Sequence, residues 1–265
     1  MLWIPAARAQ SFMPPAATEV AGQIDSLYGF LLISSLISFI LLMGGMFYFI
    51  YKYRRKTEND KTAYITHNNT LEFLWSFIPF VIFMVCFFWG TFLYLEMRTF
   101  PADSMEIHVY GKKWDWEFVY KNGRKINSDV DDAGKKVPAT MVVPLNKPVK
   151  LIMTSVKVNP DDKMDRAVLH SFFVPAFRVK QDIIPGRYTA LTFTPTKKGT
   201  FHVFCTEYCG TGHSAMLARV KVVDELEFNN WVLGDSSGGP KEMSLADKGK
   251  QIYATRACIG CHSLD

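Results

Sequence analysis

The sequence predicts a membrane-anchored all-β protein, with a two-helix transmembrane hairpin followed by one Greek-key β-sandwich or barrel. Two observations carry this reading. Near the N-terminus lie two runs without a formal charge, 26 residues from Ser26 to Tyr51 and 23 from Phe73 to Leu95. Beyond Arg98 the pattern changes to short alternating apolar runs broken by turn residues, the signature of strands.

The elements follow in order. Residues 1–24 form an N-terminal segment in which Ala7-Arg8-Ala9 before Gln10 resembles an A-x-A signal cleavage site, so processing is expected after Ala9. Residues 25–97 are expected to form the hairpin, with helices at about 26–51 and 72–96. Either run exceeds the roughly 20 residues that cross a hydrocarbon core of about 30 Å at about 1.5 Å per residue. Lys52, Arg54, Arg55, Lys56 and Lys61 outweigh Glu58 and Asp60 in the short connection, which places it in the cytoplasm and both chain ends outside. Pro79 is expected to kink the second helix, and Ser34, Ser35, Ser38, Gly44 and Gly45 give the first a small-residue face for packing on further helices. Cys86 reads as a small apolar filler, while Glu72 and Trp75 read from their position alone as interfacial residues. A pair of helices makes a poor membrane enzyme by itself, so a larger membrane partner is implied.

Residues 98–230 supply the strands: Met105 to Tyr110, Trp114 to Tyr120, Val137 to Val143, Val149 to Val158, Ala190 to Thr194, Thr200 to Cys205 and Leu217 to Val223. Between them stand turn clusters such as Lys121-Asn-Gly-Arg and Asn159-Pro-Asp-Asp. The last two strands flank Cys205-Thr-Glu-Tyr-Cys209-Gly-Thr-Gly-His213-Ser-Ala-Met216, which packs two thiols, an imidazole and a thioether into twelve residues. His170, in Leu169-His-Ser-Phe, can add a second imidazole from another strand. Thiolates with imidazoles suit zinc or copper, a Cys205–Cys209 disulfide is a further alternative, and Met216 tips the balance to copper because zinc rarely needs a thioether. A mononuclear blue-copper site uses one cysteine, so the second points to two bridging thiolates and two coppers. A metal loop between the last two strands is the arrangement of a cupredoxin. His67, His108 and His202 lack clustered partners and read as surface or satisfied core residues.

Residues 231–247 read as a linker, flexible by composition from Gly234 to Pro240, and 248–265 as the start of a cytochrome c domain that is incomplete here. Cys258-Ile-Gly-Cys261-His262 has the form of a haem c attachment site, in which two thioethers fix the haem and the histidine is an axial ligand. Nothing in the +5 net charge or the motifs points to nucleic acid.

The chain resembles subunit II of the haem-copper cytochrome c oxidases over about residues 20–230. The resemblance rests on C-x-E-x-C-G-x-x-H-x-x-M from Cys205, L-H-S-F with His170, D-I-I-P-G-R from Asp182 to Arg187, G-x-x-W-x-W from Gly111 to Trp116 and E-x-x-W from Glu72 to Trp75. It implies a binuclear CuA centre on His170, Cys205, Cys209, His213 and Met216, with the Glu207 main-chain carbonyl as a further ligand. It also implies a magnesium ion shared with subunit I through the Glu207 carboxylate, electron entrance from cytochrome c at Trp114 and a proton-path entrance at Glu72. The role implied is the electron-receiving subunit of a proton-pumping terminal oxidase, in a bacterial inner membrane, with the cupredoxin domain on the periplasmic face and oxygen reduced in subunit I. The haem motif adds a likeness to bacterial oxidases whose subunit II carries a fused cytochrome c.

Three positions depart from the usual family pattern: Lys113, Asp115 and Ala167 stand where glutamine, an aromatic and aspartate are common. From Arg98 to Pro240 there are 20 lysines and arginines against 16 aspartates and glutamates, a net +4 that would not steer a basic donor. A tethered haem makes strong docking charge unnecessary. A quinol oxidase subunit is disfavoured by the intact ligand set. A CuA-containing subunit of a nitric oxide reductase and a membrane-anchored copper-binding protein are the alternatives.

Overall fold

The computed structural model describes residues 13–161, 163 and 165–234. They form a helical unit, Gly22–Glu96, and a sheet-rich unit from the chain on either side of it. Helix α1 spans Glu19–Lys52 and α2 spans Asn69–Arg98. The Thr18 hydroxyl accepts the Ala21 N–H at 3.1 Å and so caps α1. Asn68 starts α2: its Oδ1 accepts the Leu71 N–H at 3.1 Å, while Glu72 Oε1 reaches back to the Asn68 N–H at 3.0 Å. Two otherwise orphaned donors are thereby satisfied reciprocally.

Inside the helical unit the Phe30 and Trp89 rings lie 5.9 Å apart. Most other large side chains face outward, Leu42 being 74% and Phe83 67% exposed. Leaving such a side chain in water forfeits about 1.5–3 kcal/mol relative to burial, so lipid or other membrane helices must cover these surfaces.

The sheet-rich unit contains β1 (Met105–Lys112), β2 (Asp115–Tyr120), β3 (Lys125–Ile126), β4 (Asp129–Val130), β5 (Lys136–Val137), β6 (Ala139–Pro144), β7 (Val149–Ser155), β8 (His170–Val174), β9 (Val179–Ile183), β10 (Thr189–Phe193), β11 (Gly199–Cys205) and β12 (Leu217–Val223). One five-stranded sheet runs β10-β7-β1-β2-β3 and the other β6-β12-β11-β8-β9, with β4 and β5 paired as a ribbon. Alternation decides which side chains face inward. Ile107 and Val109 of β1, Trp116 and Phe118 of β2 and Ala218, Val220 and Val222 of β12 all enter one core with Phe172, Phe177, Met141 and Leu151. The Tyr120 hydroxyl crosses that core, donating to the Val142 carbonyl and accepting its N–H, each at 2.8 Å. Burial raises this phenol well above its ordinary range.

The segment before α1 belongs to the sandwich. Ala17 is fully buried; its N–H donates to Ala176 O at 2.9 Å and its carbonyl accepts the Thr196 N–H at 2.8 Å. The Arg178 guanidinium donates to Pro14 O at 2.7 Å. Since the chain after α2 runs into β1, both ends of the helical pair connect to the same sandwich.

Several elements differ from the sequence expectation. α1 begins at Glu19 rather than near 26, because hydropathy marks the apolar stretch and not the capped helix end. The run from Val149 stops at Ser155, where Val156 donates instead to Gly111 O. β8 is the further strand expected to carry His170; β9 is absent from the expected series, being short and separated from β8 by a 3-10 turn, Pro175–Phe177, and a left-handed Arg178. Helix α3, Glu225–Leu233, is capped by Asp224 and closed by Gly234 at φ 84°, so the linker expected from 231 cannot begin before that glycine. Ala9, the rest of the linker and the haem motif Cys258, Cys261 and His262 lie outside the described residues.

Candidate metal centre

Three pieces of chain converge at one end of the sandwich. In the β1–β2 hairpin Gly111 pairs with Trp116 and Lys112 with Asp115, leaving Lys113 and Trp114 at its tip. β8 begins there with His170, and the 205–216 loop connects β11 to β12. His170 arrives by sheet pairing: Cys205 lies opposite Phe172, and the Thr206 N–H donates to Ser171 O at 3.0 Å.

The donor atoms form a connected cluster. Cys205 Sγ lies 3.9 Å from His170 Nδ1 and 3.8 Å from Cys209 Sγ. Cys209 Sγ in turn lies 3.5 Å from His213 Nδ1 and 3.8 Å from Met216 Sδ. The Glu207 main-chain oxygen is 3.3 Å from Cys205 Sγ. His170 and Met216 are fully buried, and Cys205 and Cys209 nearly so. His213 stands on a 3-10 turn, His213–Ala215, beside the ring of exposed Tyr208 at 5.8 Å.

Packing orients the donors. Trp116 is buried, with its ring edge-on to His170 at 6.0 Å, and its indole N–H donates to Met216 O at 3.4 Å. A Cβ on Gly111 would stand 2.9 Å from His170 Cδ2, so the imidazole occupies the space that the glycine leaves. Trp114 is partly buried against the core, and its indole N–H donates to Cys209 O at 3.0 Å.

The departures at Lys113 and Asp115 have partners. Lys113 Nζ lies 2.9 Å from Asp165 Oδ1. Asp115 accepts from the Ser128 hydroxyl and lies 3.4 Å from Lys136 Nζ, which also donates to Trp114 O at 2.7 Å. Ala167 lines an open groove of about 850 Å³ with Ser155 and Tyr110.

The pocket disfavours isolated charge. Burial and neighbouring Cys205 push the Cys209 thiol up to about 12, while burial, then His213 and Lys113, push His170 down to about 4. A bare thiolate is costly here, and a cation would have to accompany it. The donor set fits a soft metal. Gaps of 3.5–3.9 Å between donor atoms match ligands that each stand about 2.0–2.3 Å from a shared ion. His170 turns Nδ1 to the thiols, while its Nε2 is buried without a hydrogen-bond partner. A zinc site would have no use for the thioether at this distance, which again favours copper.

His170, Cys205, Cys209, His213, Met216, the Glu207 carbonyl and Trp114 are thus gathered at one end of the sandwich. Glu72 belongs to the helical unit, exposed, in the cap of α2. The positions that sequence reasoning missed are Gly111 and Asp165. Gly111 was visible only as a motif letter, and Asp165 carries no local signal because its partner sits on a distant hairpin.

Fold and site define a membrane-anchored cupredoxin with a sulfur-rich metal loop. Residues 105–223 match the family model of the cytochrome c oxidase subunit II periplasmic domain, and residues 6–90 that of its transmembrane domain. The cytochrome c oxidase subunit 2 of Cereibacter sphaeroides is 30% identical over 260 residues, 87% of this chain and 81% of that protein. That of Alkalihalophilus pseudofirmus is 28% identical over 95% of this chain and 70% of its own length. The crystal structure of the periplasmic domain of subunit II of cytochrome oxidase from Bradyrhizobium japonicum is 32% identical, with a TM-score of 0.44, covering 51% of this chain and 96% of that one. The chain belongs to the cytochrome c oxidase subunit II family. It is a membrane-anchored part of a cytochrome c oxidase, associates with other subunits of that enzyme and carries a periplasmic domain of the copper-binding cupredoxin type.

Proposed function

We propose that this chain is the electron-receiving subunit of a proton-pumping terminal oxidase. Trp114 accepts electrons from cytochrome c, soluble or carried as a haem c on Cys258, Cys261 and His262. His170, Cys205, Cys209, His213, Met216 and the Glu207 carbonyl would hold a binuclear CuA site, which would supply the redox centre between Trp114 and subunit I, where oxygen is reduced to water. The observation that carries the reading is the run of contacts from His170 Nδ1 through both thiols to His213 Nδ1 and Met216 Sδ. No mononuclear blue-copper site needs the second cysteine.

When bound, a copper pair supplies a one-electron centre whose charge is shared over two metals. The protein holds the donors in a buried, hydrogen-bonded frame, so they need little rearrangement when charge arrives. Cys205 and Cys209 stand close enough to bridge, and Trp116 and Gly111 fix the His170 ring. The Glu207 carboxylate binds magnesium at the subunit I surface, and Glu72 stands at the entrance of a proton path. The chain lies in a bacterial inner membrane, its 52–68 connection cytoplasmic and the sandwich periplasmic, as the basic residues there direct.

Electron paramagnetic resonance of the full copper-loaded chain in detergent tests the site. A multi-line signal from one unpaired electron shared by two copper nuclei is expected. A single-copper signal would sink the binuclear reading.

A further inference from the structure

Gly212 poses a question that its backbone does not answer. At φ −88° and ψ 13° it has a conformation open to any residue, unlike Gly210 at φ 114°. The reason for a glycine is space. A Cβ there would stand 2.5 Å from Trp114 Cδ2 and 2.7 Å from both Cε3 and Cγ, inside the indole itself. One on Gly210 would meet the Trp114 Cζ2 at 3.2 Å. The ring therefore lies directly on the 210–212 segment, between the donors Cys209 and His213, and its N–H reaches Cys209 O at 3.0 Å.

We propose that Gly212 is a positioning residue that seats Trp114 on the metal loop, and that the indole N–H to Cys209 carbonyl contact is the route by which an electron leaves the indole for the site. The proposal rests on the relay reading above and deepens it. One electron leaves a ferrous haem donor, which becomes ferric, and reduces the centre by one electron; no bond is made or broken. From the hydrogen-bonded carbonyl the path to Cys209 Sγ is covalent, so the length of the through-space step is set by how closely the ring sits. Any side chain at 212 lifts the ring and breaks the hydrogen bond together.

The test uses the full chain in detergent, labelled with 5-fluorotryptophan, the Trp114 fluorine resonance being assigned by its loss in Trp114→Phe. In metal-free Gly212→Ala that resonance shifts, and the 205–216 amides exchange faster than in the unsubstituted chain. After copper loading the two-copper signal persists, while reduction by a ferrous cytochrome c slows several-fold. Trp114→Ala slows reduction as much, and Gly212→Ala adds nothing in that background. An unmoved resonance, an unchanged rate, or additive slowing in the double variant overturns the proposal while the relay reading stands. Absence of a two-copper signal in the unsubstituted chain overturns both. Should Gly212→Ala fail to fold, Trp114→Phe keeps a ring without the N–H: slowed reduction with an intact copper signal supports the route, and an unchanged rate overturns it.

Discussion

Lys113 Nζ stands 2.9 Å from Asp165 Oδ1, while Asp165 Oδ2 accepts the Val158 and Asn159 N–H groups at 2.6 and 2.8 Å. One carboxylate thus joins the hairpin tip that carries Lys113 and Trp114 to the loop after β7 and neutralises the lysine. The Asn159 N–H first, then Lys113, hold its pKa down to about 2, below the ordinary 3.8. A depressed carboxylate stabilises the fold above its unfolded pKa and loses that contribution as pH falls towards and through about 2. Asp165→Asn should therefore lower the melting temperature at pH 7 and flatten its acid dependence between about 4 and 2. Parallel acid profiles for both chains would remove the carboxylate from this account.

Copper loading should release protons. The Cys209 thiol, raised to about 12 by burial and Cys205, is protonated at neutral pH in the metal-free pocket and must ionise to bind. His170, pushed down to about 4, is already neutral there and adds no pH dependence above about 5. Apparent affinity, measured against a competing chelator, should rise about tenfold per pH unit for each proton released between about pH 6 and 8. A pH-independent affinity would mean that the Cys209 thiol ionises without the cation.

The ligand loop was legible because four of its donors lie within twelve residues, a density that composition alone does not produce. His170 was legible as a missing second imidazole, and two long uncharged runs marked the helices. What stayed hidden depends on space rather than on order along the chain. β9 carries too few residues to show a period, Ala17 gives no sign that its backbone will join the sandwich, and α3 depends on a cap at Asp224 and on packing of Trp231 against Tyr120, 5.0 Å between ring centroids.

Gly111 supports His170 from behind. It lies in β1 opposite Trp116, and an added Cβ would press on the imidazole at 2.9 Å from Cδ2 and 3.4 Å from Cγ. Both neighbours are buried in a packed core, so the ring has little room to retreat. Gly111→Ala should cost about 1–3 kcal/mol in denaturant unfolding of the metal-free chain, the range for overpacking. It should also weaken copper binding, because Nδ1 is turned away from Cys205. Full affinity in a destabilised variant would confine the role of Gly111 to packing.

Glu72 has two claims on it, a helix cap seen directly and the proton-path role proposed above. Its Oε1 accepts the Asn68 N–H at 3.0 Å, a contact that needs an oxygen but not a charge. Glu72→Gln keeps that oxygen and removes the titrating group, whereas Glu72→Ala removes both and should cost about 1 kcal/mol of helix stability. In the assembled oxidase, proton uptake accompanying oxygen reduction should slow several-fold in both variants, while the thermal stability of the glutamine variant stays at the unsubstituted level. Normal proton uptake in Glu72→Gln, with loss only in Glu72→Ala, would assign this carboxylate to the cap alone. The glutamine variant is decisive because the geometry at Asn68 is held constant while the only proton that Glu72 can carry is taken away.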